Sequence, residues 1–463
     1  MKSAGASHPL VFLGLLVLLF WLPWPLGSNR PWSWSLMQAG VFLLLTLVFS
    51  VRARGAAPLV LPVGGKLCVG LLSGTCCYLL LQTVPMPAEW IEYLQPSAYA
   101  AYRLAPGHFG YMPLSVDTGS TLAMCLRLLA YTGVFLLVML LVRIPGRAAC
   151  IAIVIVGCAV LQTIYGIAVR THWGSGLWDP GFTANAVSGT YVNRNHFAGL
   201  MVLAVSLCAG GLVQRGFFSA AGADWKSNVS SIISWLLSSS LWLLFALLIT
   251  IGGLILSTSR GGLLAAGGGL LIAGIVSRRW GAVMHGTLLL GLIALFAIAW
   301  LGGGTLGEKL IGQGLESNRP LLARTTLTLI GQAPVLGGGG GTFEWRFPAV
   351  RGPELEDLHY DHAHNDYLET LADLGLFGGV LLGTVLTLGF WRIAKGLRAR
   401  HDKQIKALLY GVLAALSGAL LHALVDFNFR IPANAAYFFA LLGLGIAAAD
   451  RQHLYAQRRE IQV

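Results

Sequence analysis

HYDHAHNDYLETLADLGLFGGVLLGTVLTLGFWRIA, residues 359–394, joins a strongly polar stretch of this chain to an apolar segment that begins near Leu374. Its first eleven residues, 359–369, include three histidines and three acidic residues. The chain as a whole is 56% hydrophobic and only 11% charged. Ionisable groups at the edge of an apolar segment are costly unless they are used. We therefore predict that residues 359–369 form the functional centre.

Apolar runs of about 20 residues, the length of a helix that crosses a bilayer, recur along the chain. They predict an all-α integral membrane protein with about twelve transmembrane helices. The predicted spans are residues 10–27, 34–51, 64–84, 119–142, 148–168, 196–214, 239–256, 261–276, 281–301, 374–394, 405–425 and 433–449.

The net charge of +12 follows the predicted topology. With the N-terminus inside, 19 of the 31 Lys and Arg residues fall on the cytoplasmic side, and 15 of the 19 acids fall on the outer side. This distribution satisfies the positive-inside rule with both termini cytoplasmic. The basic composition therefore indicates membrane topology, and it predicts no nucleic-acid partner.

The predicted spans divide the chain into four parts. Residues 1–150 hold helices 1–4, and residues 151–301 hold helices 5–9 with two polar outer loops. Residues 302–373 form a long outer loop that we expect to act as a catalytic lid. Residues 374–463 hold helices 10–12 and a cytoplasmic tail.

Two outer loops before the lid carry arginines. GTYVNRNHFAG, residues 189–199, leads into the sixth span, where Arg194 and Asn195 are candidates for binding substrate. Alternatively, Asn195 caps this helix and Arg194 reaches the membrane interface. STSRGG, residues 257–262, places Arg260 at a glycine-rich turn, and a helix terminus beside an arginine can hold anionic oxygens.

The lid is predicted to contain one short amphipathic helix, from Arg319 to Ile330, followed by the turn-forming glycines 337–341. Otherwise it has too little apolar periodicity for a core of its own. His364 then precedes a helix that Asn365 or Asp366 caps and that Gly375 interrupts.

The polar residues of these loops should meet on one side of the membrane. Guanidinium groups suit a diphosphate, and a neutral imidazole can take a proton from a sugar hydroxyl. We predict Arg260, Arg319 and His364 as catalytic residues. The predicted substrate-binding residues are Arg324, Asp426, Arg194, Asn195, Tyr367 and Asp361.

A metal site is the alternative for the histidine-rich stretch, because imidazole and carboxylate groups ligate zinc or manganese. Its ligands would be His359, Asp361, His362, His364 and Asp366. The spacing matches no familiar zinc pattern, so we predict no metal and no cofactor. On this basis His359 and His362 should tolerate alanine better than His364 does.

Four motifs in order resemble the O-antigen ligase and polymerase superfamily: Asn193–Gly199, Ser257–Gly262, Arg319 to Ile330 with Pro334–Gly337, and His364–Glu369 through Gly375. The resemblance covers the chain from about the fifth helix onward. Before that point only the hydropathy is similar.

The resemblance implies a glycosyltransferase of the bacterial inner membrane with a C-type fold and no metal requirement. Its donor would be a glycan on undecaprenyl diphosphate at the periplasmic face. Arg260 and Arg319 match the arginines that bind the diphosphate in the family. His364 matches the histidine that activates the acceptor, and Asp426 matches an acid in the last outer loop. Attack on the anomeric carbon would invert its configuration. Pro320 after Arg319 departs from the family pattern.

Three acceptors stay open within the superfamily: lipid A core, a second lipid-linked glycan (a polymerase) and a protein Ser or Thr. The modest outer loops favour a glycan, with the ligase slightly ahead. A multi-pass transporter is the alternative from another class. It is disfavoured because carriers place ionisable groups near the membrane midplane, whereas the polar clusters here lie in loops.

Overall fold

A computed structural model describes residues 9–53, 61–105, 107, 110–142, 146–171, 186–214, 239–277, 318–355 and 359–450. The long helices are α1 Pro9–Trp21, α2 Pro31–Ala53, α3 Val63–Gln82, α6 Thr118–Leu141, α7 Arg147–Arg170, α8 Arg194–Gln214, α9 Ser239–Leu256, α10 Arg260–Ser277, α13 Asp366–Ala399, α14 Lys403–His422 and α15 Pro432–Ala449. The shorter elements are β1 Met86–Pro87, α4 Ala88–Leu94, α5 Pro96–Leu104, β2 Tyr111–Met112, α11 Arg319–Gly331 and α12 Phe343–Arg346.

Within these ranges, nine helices are long and apolar enough to cross a membrane. Two apolar helices are shorter: α1, and α9 over its Leu241–Leu256 part. The all-α membrane architecture is therefore confirmed. Eleven of the predicted spans fall on described helices. The span predicted at 281–301 lies outside the described residues, and the inside–outside orientation stays a prediction.

Side-chain caps start several helices where the sequence changes from polar to apolar. The Asp117 carboxylate accepts a hydrogen bond from Gly119 N at the start of α6, and Asp402 accepts from Gln404 N and Ile405 N at the start of α14. Asn365 does the same for α13, as predicted, by accepting from Tyr367 N and Leu368 N. These caps satisfy amide groups that a helix leaves without intrahelical partners.

Helix α14 lies between α8 and α10, and α15 packs against α6, α13 and α14. Small residues allow the close approach: Gly210 of α8 meets the backbone of Gly411, and Gly269 of α10 meets that of Gly418. Such contacts hold helices together where burial of apolar surface supplies little driving force. The result is a rigid frame for the short segment between α14 and α15.

The glycine run 337–341 is a docked turn at the point where α13 bends. Gly337 and Gly375 both have positive φ angles, 67° and 62°. A side chain at Gly337 would collide with the Asp373 carbonyl, and one at Gly375 with the Val335 carbonyl. Gly338 N and Gly339 N donate to the carbonyls of Ala372 and Asp373. Only glycine permits this close approach in the left-handed region.

Two segments contain more structure than the sequence predicts. Residues 85–118, which lie between the third and fourth predicted spans, form α4, α5 and the pairing of β1 with β2, and Gln95 Nε2 of this segment donates to Gly337 O at 2.7 Å. The lid, expected to have no core, buries a small apolar cluster that includes Leu322, Phe343 and Phe347. The prediction of a coreless lid was wrong, because these apolar residues come from short elements that show no long periodicity.

Candidate active site

Asp426 lies at the centre of a polar cluster at one end of the bundle, in the segment between α14 and α15. Its side chain is only 1% exposed. Oδ1 lies 3.5 Å from Nδ1 of His364 and 3.6 Å from Nε2 of His196, and Oδ2 lies 3.4 Å from the guanidinium of Arg319. Burial alone would raise the pKa of Asp426, but its interactions with the two imidazoles lower this pKa well below the ordinary carboxyl value. Asp426 is therefore a buried negative charge at neutral pH.

His364 is held in an unusual backbone conformation beside that charge. Its φ angle is 50°, in the left-handed region that non-glycine residues rarely adopt. The following residue, Asn365, caps α13 with its side-chain oxygen and donates from Nδ2 to Leu424 O at 2.9 Å. Nδ1 of His364 is buried and lies 3.5 Å from Asp426 Oδ1 without a hydrogen bond among the described residues, while the whole side chain is 27% exposed. The imidazole thus has one edge in contact with a buried carboxylate, and part of the side chain remains exposed.

Phe427 brings three histidines together. Its ring centroid lies 4.5 Å from that of His196, 4.3 Å from His362 and 4.7 Å from His364. Asp426 therefore neighbours a group of imidazoles packed around one aromatic ring.

Three arginines form the positive side of the cluster. Arg319, at the start of α11, donates from one guanidinium nitrogen to Val425 O at 2.7 Å, and its side chain is 42% exposed. Arg194 donates to Thr258 Oγ1 at 2.7 Å, and Arg260 is exposed at the start of α10. Because Thr258 lies two residues before Arg260, the Arg194 side chain reaches the turn that carries Arg260. The arrangement presents several guanidinium groups to an anion.

Helix α10 approaches the Asp426 segment closely. A Cβ at Gly261 would lie 2.7 Å from Cγ2 of Val425 and 3.3 Å from Cδ2 of His422. The glycine after Arg260 therefore allows this arginine to be placed beside the segment that carries Asp426, as the sequence predicts for a close approach.

A buried ionic network that the sequence analysis did not identify supports the site. Arg430 lies 3.1 Å (Nε) from Oε1 of Glu369 and 3.0 Å (Nη1) from Oδ2 of Asp373. Asp366 accepts a hydrogen bond from Phe429 N at 2.9 Å. Burial lowers the pKa of Arg430, but Glu369, Asp373 and Asp366 more than offset this and raise it above its ordinary value. The available signal was the spacing of the three acids along one face of an otherwise apolar helix.

Glu369 also holds the histidine loop. One oxygen lies 2.9 Å from Nδ1 of His362, and the other accepts from Ala363 N at 2.9 Å. Because the same carboxylate pairs with Arg430, the loop before α13 is joined to the segment after α14.

Buried amides extend the cluster into the bundle. Asn428 Nδ2 lies 3.1 Å from Nδ1 of His422, and Asn434 Nδ2 donates to Asn428 Oδ1 and His196 O. These residues carry no sequence motif, because His422 and Asn434 are single polar side chains near helix ends and Asn428 lies in the short segment between α14 and α15.

The structure divides the residues proposed for a metal site among different partners. Nε2 of His359 lies 2.8 Å from Oδ1 of Asp361 and 3.1 Å from Oε1 of Glu344. His362 contacts Glu369 and His364 faces Asp426, while Asp366 accepts from the backbone of Phe429. Asp361, predicted to bind substrate, therefore belongs to an exposed trio with His359 and Glu344, whose ligand atoms all lie within 4.8 Å of one another, a spacing at which they could hold a metal ion.

The other predicted site residues have separate positions. Tyr367 donates from its hydroxyl to Leu420 O at 2.9 Å, and Arg324 is exposed on α11. Asn195 does not cap α8: the helix begins at Arg194, and the Asn193 side chain accepts a hydrogen bond from Asn195 N at 2.8 Å. The alternative prediction that Asn195 caps α8 was therefore wrong by two residues, because the helix begins earlier than expected and Asn193 takes the capping position.

Comparison with known proteins places part of this cluster in a family. Residues 245–383 match the family model described as O-antigen ligase. The matched segment contains Arg260, Arg319 and His364, whereas Asp426 lies beyond it. No curated protein matches the chain. The match confirms, for residues 245–383, the resemblance to the O-antigen ligase superfamily that the motifs indicated, and the long apolar helices support a multi-pass membrane protein.

Proposed function

We propose that this protein transfers a glycan from undecaprenyl diphosphate to a sugar hydroxyl of lipid A core at the periplasmic face of the inner membrane. The observation that carries the proposal is the meeting of His364 and Arg319 on the buried carboxylate of Asp426. An imidazole and a guanidinium contact the two oxygens of one carboxylate, which brings a proton acceptor and an anion-binding group into the same site, as this reaction requires.

The arginines hold the donor. Arg319 and Arg260, with Arg194 beside them, bind the diphosphate through forked N–H donors and stabilise the charge that develops as it leaves. Asp426 and the Val425 carbonyl hold the Arg319 guanidinium in place. Because the positions of forked donors matter, lysine cannot replace these arginines fully.

His364 activates the acceptor. Nδ1 faces Asp426, so the open edge of the ring takes the proton from the acceptor hydroxyl. The hydroxyl oxygen bonds to the anomeric carbon as the bond from that carbon to the diphosphate breaks, and the electron pair leaves with the diphosphate. Direct attack inverts the anomeric configuration. The reaction uses no metal ion.

Transfer by the purified protein in detergent tests this proposal. The donor is an undecaprenyl-diphosphate glycan, and lipid A core or a second lipid-linked glycan is offered as acceptor, with and without EDTA. Wild-type protein should add mass to lipid A core at the same rate in both buffers. Arg319→Lys and Arg260→Lys should each reduce the rate at least about tenfold, since lysine keeps the positive charge but lacks the second, rigidly placed donor of the guanidinium fork.

Arg103→Lys provides the matched control, because this exposed arginine lies on α5 and packs near the Tyr99 ring. It should retain wild-type transfer. Mass gained by the lipid-linked glycan instead would make the protein a polymerase, and no transfer to either acceptor by folded protein would contradict the proposal. A rate that EDTA abolishes would contradict its metal-free chemistry.

A further inference from the structure

His362 and Glu369 form a second imidazole–carboxylate pair beside the first. Nδ1 of His362 lies 2.9 Å from Oε1 of Glu369, whose side chain is 2% exposed. The corresponding distance from His364 to Asp426 is longer, 3.5 Å. His362, which the sequence did not favour as a catalytic residue, therefore has the shorter distance to its carboxylate.

His362 packs against the same aromatic ring as His364. The side chains of both are 27% exposed. Both rings contact Phe427, at centroid distances of 4.3 and 4.7 Å. His362 and His364 are therefore two partly exposed imidazoles that lie around one ring at the same end of the bundle.

Glu369 determines which proton His362 carries. The carboxylate is paired with Arg430 and accepts from Ala363 N, so its oxygens act as acceptors. Nδ1 of a neutral His362 must then be the donor, which leaves a lone pair on Nε2. This nitrogen accepts a hydrogen bond and suits a hydroxyl, which can donate one, rather than a deprotonated phosphate.

We propose that His362, oriented by Glu369, accepts a hydrogen bond from a hydroxyl of the acceptor sugar and so determines acceptor affinity. The inference rests on the proposed function, because it assigns the acceptor side of the same site. His362 is here a binding residue, and proton removal remains with His364. This proposal replaces the expectation that His362 tolerates alanine as well as His359 does.

Steady-state transfer with varied acceptor tests the inference. His362→Ala should raise KM for lipid A core about 3- to 10-fold, the effect of one hydrogen bond between neutral groups, and should leave kcat and the KM of the donor near wild type. His362→Asn keeps an N–H group toward Glu369 but cannot reach the acceptor, so it should show the same increase. It also controls for damage to the loop if the alanine variant is unstable.

His359→Ala is the matched control. This imidazole is three residues away and contacts only exposed carboxylates among the ion pairs of the described residues, so its loss should leave every constant unchanged. An unchanged acceptor KM in both His362 variants would overturn the inference alone. A fall in kcat as large as that of His364→Ala would overturn it too, since His362 would then be a proton acceptor. Failure of wild-type transfer would remove the proposed function itself.

Discussion

His359 and His364 are five residues apart in one loop and have carboxylate neighbours of opposite kinds. The side chain of His359 is 67% exposed and faces Asp361 and Glu344, which are themselves exposed by 63% and 39%. His364 faces Asp426, which is 1% exposed and also contacts Arg319. Residue type is therefore the same in both regions, and burial of the carboxylate distinguishes them.

The difference decides what each region can do. An ion pair in water contributes roughly 0–1 kcal/mol, because solvent screens it and mobile side chains lose entropy on pairing. A buried carboxylate cannot exchange its protein partners for water, so it keeps a neighbouring imidazole in one orientation. We therefore propose that catalysis takes place at the buried pair and that the exposed trio is a surface cluster.

The largest expected effect is on transfer. His364→Ala should reduce the rate about 100- to 10,000-fold, the contribution of a general base. His359→Ala should change it less than about twofold. The measurement is single-turnover transfer from an undecaprenyl-diphosphate glycan, with folding checked by size-exclusion chromatography. Equal losses in the two variants would break the distinction between the regions.

The next effect is on stability. Glu369→Ala removes the buried partner of His362 and Arg430, and breaking a buried pair costs roughly 3–5 kcal/mol. Glu344→Ala removes an exposed partner of His359 and should cost less than about 1 kcal/mol. Unfolding in detergent micelles with increasing SDS measures both. A Glu369→Ala protein as stable as the Glu344→Ala protein would mean that burial does not separate these pairs.

The third effect depends on pH. The pKa of Asp426 is lower in the folded protein than its ordinary value, so its ionised form stabilises the fold. This contribution should be complete above the unfolded pKa of about 3.9 and should be lost as the pH falls through the lower folded pKa. Asp426→Asn should therefore differ most from wild type at pH 5–7, and the difference should shrink below about pH 4. Asp361→Asn should differ little from wild type at any of these pH values.

The smallest effect is on salt dependence. At 1 M salt the screening length is about 3 Å, close to the ion-pair distances of the exposed Glu344–His359–Asp361 trio, so its contribution should weaken. The stability difference between wild type and Glu344→Ala should then approach zero, whereas that for Glu369→Ala should persist. Unfolding midpoints at about 0.05 and 1 M NaCl test this contrast. A salt-insensitive Glu344→Ala difference would indicate that the trio is better shielded than its exposure implies.

Periodicity and local capping were sufficient to predict much of the fold. Runs of apolar residues predicted most of the long helices, and the step from His364 to Asn365 predicted the start of α13 and its cap. Both depend on neighbours within a few residues. The helices α4 and α5 were missed, because short segments rich in proline and aromatic residues resemble loops until tertiary contacts stabilise them.

The candidate site was predicted less completely. His364, Arg319 and Asp426 were selected by residue type, position and resemblance, and they meet in the structure. Glu369 and Arg430 were missed, since 61 residues separate them and no local pattern relates an acid in one helix to a base beyond the next.

The amino-acid sequence by itself determined that this chain crosses the membrane many times, where α13 begins, and which polar loops interrupt the apolar helices. Those properties follow from hydropathy and capping, which act over a few turns of one helix. Only the tertiary structure decided which carboxylate each histidine faces. The close approach of α8, α10 and α14 at glycine contacts brings loops distant in sequence to one end of the bundle. Burial there, rather than residue type, makes Asp426 and Glu369 different from Asp361.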